Sequence, residues 1–138
     1  MNCYSLSFGW QITVPNNWCE EYDEQGGQWV FYPDDSSLTV RVTPFHAERD
    51  GVPAPSDVMK NVYINTIPAT AIPRNTDAYN LDGFASRIYD GTIIEHNQTV
   101  YVTYIGYYAE GELLSVNIFG ESIIECKQAL NIIKIMKK

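Results

Sequence analysis

Apolar positions alternate with polar or small ones in several stretches of the chain, which is the pattern of half-buried β-strands. The first stretch covers residues 8–14, where the apolar side chains occupy the even positions and Pro15 ends the run. Residues 28–32 and 38–45 are predicted to form the second and third strands. After an irregular region, the pattern predicts three consecutive strands that form a meander: residues 84–95, 98–109 and 112–119.

The middle strand of the meander has apolar side chains at both even and odd positions. Its apolar side chains are Val100, Val102 and Tyr104 on one side and Tyr101, Ile105 and Tyr107 on the other. A sheet with one wet face would alternate more cleanly, so the pattern favours an antiparallel sheet covered on both faces. Tyr101, Tyr107 and Tyr108 are expected to lie under the chain's own helix or loops. The alternative is an aromatic sheet surface that accepts a partner helix.

Two segments show the helical spacing of apolar side chains. Residues 57–66 are predicted to form a short helix with Ser56 as its N-cap. Ser122 and Glu125 have the spacing of a capping box in front of an apolar run, which predicts a helix from there to the chain end. The predicted fold class is therefore α+β, an antiparallel β-sheet flanked by helices, with the C-terminal helix packed on the sheet.

The composition is that of one globular domain spanning residues 1–138. Hydrophobic residues make up 45% and charged residues 19%, and a chain of this length buries about two-thirds of its surface on folding. The formal net charge of −8 argues against a nucleic-acid or anionic-membrane surface, because both need basic side chains. The charge divides into 5 − 17 = −12 over residues 1–126 and +4 over residues 127–138. Those four lysines are expected to complement the dipole of the C-terminal helix.

The three cysteines, Cys3, Cys19 and Cys126, are widely spaced and form no C-x-x-C pair. This spacing is typical of reduced structural thiols rather than of a disulfide framework or a zinc site. The chain start lacks the basic and apolar regions of a signal peptide, and no run approaches the ~20 apolar residues of a membrane span. The expected location is therefore cytoplasmic.

No catalytic, cofactor-binding or metal-binding residue is predicted. His46, Glu48 and Asp50 alternate in a charged loop, but a metal site needs a further rigid ligand, and the second histidine, His96, falls in a predicted hairpin turn. Cys19 with His46 is a conceivable nucleophile and base, yet no nucleophile elbow accompanies the pair. No glycine-rich phosphate loop is present. These patterns predict a protein that is not an enzyme.

One acidic segment, predicted to be a loop, suggests a docking surface. Carboxylates would steer a basic partner towards it, and a neighbouring aromatic ring would anchor that partner. The competing interpretation is a solvated loop that only keeps the protein soluble. The predicted partner-binding residues are Glu20, Glu21, Tyr22, Asp23, Glu24 and Trp29.

The string Trp10-x-Ile12-x-Val14-Pro15-x-x-Trp18 resembles the start of Mog1/PsbP-like domains. The order of elements that follows is also similar to that superfamily, and within it to small bacterial proteins classed as a domain of unknown function. The resemblance implies an α/β/α sandwich. It also implies protein binding without chemistry, since Mog1 binds a small GTPase, PsbP is a photosystem subunit, and bacterial relatives include lipoproteins and chaperones for secreted effectors.

The function expected from these observations is a non-catalytic protein-binding module. An immunity protein or an effector-binding chaperone of a bacterial toxin system fits an acidic domain of this size, and its partner is expected to be another, basic protein. The alternative is a small-ligand-binding domain that uses an aromatic cleft between the sheet and a helix. The pattern leaves the oligomeric state open.

Overall fold

The computed structural model describes residues 1–35, 37–74 and 81–138. Within them the chain forms twelve β-strands, two α-helices and a short 3₁₀ segment at Ser7–Gly9. The helices are α1 (Ser56–Ile64) and α2 (Ile123–Ile132). The strands are β1 (Asn2–Ser5), β2 (Trp10–Val14), β3 (Trp18–Asp23), β4 (Gln28–Pro33), β5 (Leu38–His46), β6 (Glu48–Arg49), β7 (Val52–Pro53), β8 (Ile72–Arg74), β9 (Ala85–Glu95), β10 (Gln98–Ala109), β11 (Glu112–Gly120) and β12 (Lys134–Lys137).

The strands of the described chain form three antiparallel sheets. The large sheet has seven strands in the order β3-β4-β5-β11-β10-β9-β8. The second sheet has the order β1-β2-β12, and β6 and β7 form a small hairpin. The three strands β9, β10 and β11 are consecutive neighbours, so the predicted meander is confirmed.

The large sheet has two distinct faces. Its inner face is marked by Val42, Val116 and Ile105, which lie side by side across β5, β11 and β10. Its outer face is marked by Ser115 and Gly106, which lie opposite each other in the same register. Neighbouring positions on each strand point to opposite faces, because side chains alternate along a strand.

The main hydrophobic core lies on the inner face, under α2 and the second sheet. The second sheet contributes Trp10, Ile12 and Val14, all fully buried. The helix contributes Cys126, Ala129 and Leu130, and the large sheet supplies Phe31, Val40, Val42, Ile88, Ile105, Tyr107, Leu114, Val116 and Ile118.

A smaller cluster covers the outer face. Here Met59 and Tyr63 of α1 pack against Tyr108 and Leu113 of the sheet. Both faces of the sheet are therefore covered at its centre, as the apolar side chains at even and odd positions of β10 predicted. Tyr107 and Tyr108 are buried and Tyr101 is half-buried. The predicted α+β class, with a C-terminal helix packed on the sheet, is confirmed.

The acidic segment is a strand rather than the predicted loop. Trp18–Asp23 pairs antiparallel with β4 along its whole length. Its residues after Cys19 are all exposed, so the alternation that marks a half-buried strand is missing. An edge strand tolerates such a sequence, because charged side chains protect an unpaired edge from unwanted pairing.

The C-terminal helix is shorter than predicted. It ends at Ile132, because Ile133 adopts an extended conformation with φ −77° and ψ 150°. The chain then forms β12, which pairs with β2. The run of apolar residues here fits a helical and an extended period alike. Pairing decides between them, because the backbone groups of β2 need hydrogen-bond partners.

The lysines near the chain end have a different role from the one predicted. The last turn of α2 contains no basic residue, so these lysines do not complement its dipole. Lys137 instead contacts Glu112 and the carbonyl oxygen of Phe8. Its ammonium group also lies 5.4 Å from the ring centroid of Trp10, and these contacts join β12 to the rest of the fold.

Two smaller predictions need correction. Phe8 lies exposed in the 3₁₀ segment, with φ 62°, so the strand predicted for residues 8–14 begins only at Trp10. Ser56 is the first residue of α1 and makes no cap hydrogen bond, since Pro55 takes the N-cap position. Of the segment predicted to be irregular, residues 74–77, Arg74 ends β8 and the other three lie outside the described residues. None of the described helices is both long and apolar enough to span a membrane.

Candidate partner-binding surface

The six residues predicted to bind a partner lie together on one β-hairpin. We call residues 18–33 the acidic hairpin; it consists of β3, a turn and β4. In the described part of the chain, β3 pairs with β4 and with no other strand. It is therefore an edge strand, and one row of its backbone N–H and C=O groups is open to a further strand.

The acidic hairpin carries carboxylates on both faces. Glu20 and Tyr22 point to the inner side, and Glu21 and Asp23 point to the outer side, because side chains alternate along β3. Glu24 continues the series into the turn. A strand added to β3 would therefore meet negative charge above and below its plane.

An aromatic pair accompanies these carboxylates. Tyr22 and Trp29 lie opposite each other in register, and their ring centroids are 4.3 Å apart. Tyr22 is 47% exposed, whereas Trp29 is half-buried and packs against the main core. The pair therefore offers a rigid apolar surface at the protein edge.

The turn of the acidic hairpin is held by its own side chains. The Asp23 carboxylate accepts a hydrogen bond from the backbone N–H of Gln25 at 3.1 Å. Gly27 has φ 61°, a left-handed conformation that favours glycine. The turn therefore presents Glu24 in a defined position next to the strand.

Two contacts on the outer side of the acidic hairpin were missed by sequence reasoning. The hydroxyl of Tyr32 donates to a carboxylate oxygen of Glu21 at 2.8 Å, and this hydrogen bond raises the pKa of the tyrosine. The thiol of Cys19 donates to Asp34 at 3.5 Å. Partial burial and this carboxylate raise the pKa of Cys19, so the thiol is protonated at neutral pH and a poor nucleophile. The sequence contained a signal for these contacts, because Cys19 and Glu21 are two positions apart and therefore lie on the same face of a strand.

The negative charge of the acidic hairpin is uncompensated. Among the described residues, none of Glu20, Glu21, Asp23 and Glu24 forms an ion pair. Arg41 contacts the hairpin through Gln28, by donating to its amide oxygen at 2.8 Å, and forms no ion pair with its carboxylates. A Lys or Arg side chain of a partner would therefore find unpaired carboxylates here.

The other candidate residues that the sequence offered do not converge. Nε2 of His46 lies 3.3 Å from the carboxylate of Glu48, and the ring of Phe8 stacks on His46 at 5.3 Å. Cys19 lies towards the other end of these strands. It pairs with Tyr32, the neighbour of Phe31, and Phe31 pairs with Val40. Six residues of strand separate that position from His46, which is roughly 20 Å.

The remaining chemistry-bearing side chains are dispersed. Across residues 1–35, 37–74 and 81–138, no three His, Cys, Asp or Glu side chains lie close enough to hold a metal ion. His96 lies in the β9–β10 turn with φ 49°. Cys126 is buried, and burial raises its pKa to about 11, which leaves the thiol protonated at neutral pH.

The cleft that the alternative function needs is present between the sheet and the C-terminal segment. It has a volume of about 300 Å³. Its lining is largely aliphatic, and Tyr107 is the one aromatic side chain among the described lining residues. The lining residues are Leu81, Ile105, Tyr107, Val116, Leu130, Ile133, Lys134, Ile135 and Met136. The expected aromatic cleft is therefore an aliphatic one.

This architecture is an α+β fold, the class that the resemblance implied, and solved structures of low sequence identity share it. A crystal structure from Bacteroides thetaiotaomicron VPI-5482 is similar, with 13% identity and a TM-score of 0.62 over 94% of this chain. The chain covers 46% of that protein, so it spans about half of its length.

Two further structures are similar to this chain. LpqN of Mycobacterium tuberculosis, a protein involved in cell envelope biogenesis, has 12% identity and a TM-score of 0.52, with 94% of this chain and 86% of LpqN covered. Cyanobacterial PsbP from Synechocystis sp. PCC 6803 has 12% identity and a TM-score of 0.44, with 97% and 91% covered. No family model and no curated protein sequence matches the chain. Similarities at such identities describe the fold and do not extend to function.

Proposed function

We propose that this chain is a non-catalytic protein-binding module and that the acidic hairpin is its docking surface. The observation that carries the proposal is the combination on β3 of an open backbone edge with unpaired carboxylates on both faces. The exposed ring of Tyr22, which packs against Trp29, adds an anchor at the same place. Strand addition supplies affinity through the backbone, and side chains supply specificity.

The charge of β3 selects the kind of strand that can pair with it. A second copy of β3 would place carboxylates directly against carboxylates, and like charges on facing strands repel. An extended segment rich in Lys or Arg would instead form ion pairs on both faces of the added strand. The proposed partner is therefore a basic protein that presents such a segment.

Within this class, we propose an immunity protein or an effector-binding chaperone of a bacterial toxin system. An acidic surface both attracts a basic toxin or effector and blocks the basic residues that it uses elsewhere. The net charge of −12 over residues 1–126 supports this role. The partner would bind in one-to-one stoichiometry, because the described chain offers one acidic edge strand.

The first test uses the isotope-labelled chain and a short peptide of alternating lysine and threonine. We expect saturable shifts of the backbone amide signals along β3 and little change along β8, at the other edge of the sheet. The double variant E20K/E21K should weaken binding by about tenfold or more, because it removes two attractive pairs and introduces repulsion. Raising the salt concentration should weaken binding to the unmodified chain.

The control variant is Glu110→Lys, which changes the net charge in the same direction at an exposed turn far from β3. It should bind the peptide almost as well as the unmodified chain. A matched peptide of alternating glutamate and threonine should not bind. Equal binding of both peptides, or equal loss in E110K and in the β3 variants, contradicts the proposal.

The second candidate function is binding of an apolar small molecule in the aliphatic cleft. The cleft lies beside Tyr107, whose ring centroid is 6.5 Å from that of Trp10. A ligand in the cleft should therefore alter the fluorescence of Trp10. Titration with a fatty acid and with an uncharged long-chain alcohol tests this function. Leu130→Trp should abolish the ligand-induced change in fluorescence by filling the cleft.

A further inference from the structure

Arg87 stands out among the basic side chains of this acidic protein. It lies on the outer face of β9 and is half-buried. Within the described residues it pairs with no carboxylate. A half-buried guanidinium normally has an acidic partner, because burying an unpaired charge is costly.

The hydrogen bonds of Arg87 leave donors without acceptors. Its Nε donates to the hydroxyl of Tyr108 at 3.4 Å, and its Nη1 donates to the hydroxyl of Tyr89 at 3.5 Å. Both hydroxyl oxygens act as acceptors here, so each O–H group can still donate a hydrogen bond to another acceptor. The guanidinium has five N–H donors in a planar fork, and these two long bonds use two of them. Three side chains thus point donors towards one place.

That place is a cavity of about 270 Å³ beside β9. Arg87, Tyr89 and Tyr108 line it on the outer face, and Pro73 and Ile88 supply apolar wall. The volume suits a molecule of few non-hydrogen atoms, since it lies just below the range of ~300–1,000 Å³ for drug-sized ligands.

The charges around the cavity define the charge of its ligand. Arg74 also lines the cavity, but its guanidinium forms a bidentate ion pair with Asp90, to which Thr103 also donates at 2.9 Å. Of the two guanidinium groups that line the cavity, only that of Arg87 lacks a carboxylate partner among the described residues. A singly charged anion would balance this charge.

We infer that this cavity binds a small monocarboxylate, with its carboxylate held by Arg87, Tyr89 and Tyr108. A planar carboxylate fits the guanidinium fork in a bidentate manner, and each tyrosine can donate one further hydrogen bond. The site lies five strand spacings from β3, which is roughly 24 Å. It is therefore separate from the acidic hairpin and independent of the proposed function.

The test titrates the full-length labelled chain with benzoate and, in parallel, with the neutral isostere benzamide. We expect saturable shifts of the Arg87 side-chain Nε–H signal and of the backbone amides around it with benzoate and none with benzamide. Peptides with a free or an amidated C-terminus distinguish a chain terminus from a free small acid as the source of the carboxylate. Inorganic phosphate should bind more weakly than benzoate.

Variants locate the site. Arg87→Gln should weaken benzoate binding by about tenfold or more, since a hydrogen-bonded charge pair is lost. Arg87→Lys keeps the positive charge but lacks the planar guanidinium, so its benzoate affinity should lie between those of R87Q and the unmodified chain. Tyr108→Phe should weaken benzoate binding a fewfold. Arg49→Gln, the same charge change at an exposed residue, should bind normally. Should R87Q fail to fold, R87K and Y108F still test the site.

Several results would overturn the inference. These are the absence of saturable benzoate binding, equal binding of benzoate and benzamide, or unchanged benzoate binding in both R87K and Y108F. Tighter binding of phosphate than of benzoate would overturn the assigned ligand class.

Discussion

Gly106 and Tyr63 show how closely one residue of this fold depends on another. A Cβ atom at Gly106 would lie 2.6 Å from the ring carbons of Tyr63. That ring is fully buried between α1 and β10. The absence of a side chain at position 106 therefore lets α1 approach the sheet, and it explains why a glycine interrupts an otherwise bulky central strand.

Gly106→Ala is predicted to destabilise the protein. Placing a methyl group so close to the Tyr63 ring overpacks the site, which costs about 1–3 kcal/mol of unfolding free energy. The matched control is Gly91→Ala on β9, whose added Cβ would meet Ala71 at an ordinary 3.4 Å. Urea denaturation of the two variants tests the prediction, and equal losses in both would speak against it.

The buried thiol of Cys126 predicts a dependence of stability on alkaline pH. Burial raises its pKa to about 11 from a usual value of 9.0. In the unfolded chain the thiol loses its proton above pH 9, whereas the folded chain keeps it. The unfolded state then binds fewer protons than the native state, so the unfolding free energy falls between about pH 9 and pH 11.

Cys126→Ala is expected to flatten this pH dependence, although the cavity it leaves lowers stability at neutral pH. Part of the slope should remain, because burial also raises the pKa of Tyr63. Cys3→Ala, which removes an exposed thiol, should leave the slope unchanged. Thermal unfolding followed from pH 8 to pH 11 is the measurement, and identical slopes in C126A and the unmodified chain would refute the assignment.

At the scale of elements, the N-terminus of α2 is the clearest local signal that the structure confirms. The hydroxyl of Ser122 accepts a hydrogen bond from the backbone N–H of Glu125 at 3.2 Å. The carboxylate of Glu125 accepts from the N–H of Glu121 at 2.9 Å, one residue before the position that a capping box would use. The helix start was predictable because all its partners lie within five residues.

Ser122→Ala is therefore predicted to cost about 1 kcal/mol of unfolding free energy, the usual contribution of an N-cap. Ser56→Ala provides an internal control, because Ser56 opens α1 without any cap hydrogen bond. It should change stability by only a few tenths of a kcal/mol. Chemical denaturation of both variants compares them, and a loss in S56A as large as that in S122A would contradict the structural difference.

The ends of other elements were harder to predict for a physical reason. The apolar run after Ile132 satisfies a helical period and a strand period, and its conformation follows from pairing with β2, more than a hundred residues earlier. Likewise, Glu20 and Glu21 belong to a strand because β4 supplies partners for their backbone. The side-chain pattern within one segment does not show which other segment pairs with its backbone.

At the scale of the molecule, the uneven charge has a consequence for stability. The chain carries a net charge of −8, and the described carboxylates of the acidic hairpin form no ion pairs. Self-repulsion of this kind destabilises a compact state. Salt screens it, since the Debye length falls from about 30 Å at 0.01 M to about 8 Å at 0.15 M.

The unfolding free energy is therefore predicted to rise as the salt concentration increases over this range. Glu20→Lys should show a smaller rise, because it removes repulsion among the clustered carboxylates. Glu110→Lys changes the net charge equally at an isolated turn and should retain more of the rise. Denaturation at the two salt concentrations tests this, and a flat response of the unmodified chain would show that the hairpin charges do not destabilise the fold.

The sequence by itself determined the α+β class, the meander, the start of α2 and the grouping of six candidate binding residues. These features depend on alternation, on caps and on neighbours along the chain. The tertiary structure decided that the acidic residues form an open edge strand, that the chain end becomes β12, and that Arg87 meets two tyrosines beside a cavity. Each of these depends on which strands pair and in which register, and the side-chain pattern within one strand does not contain that information.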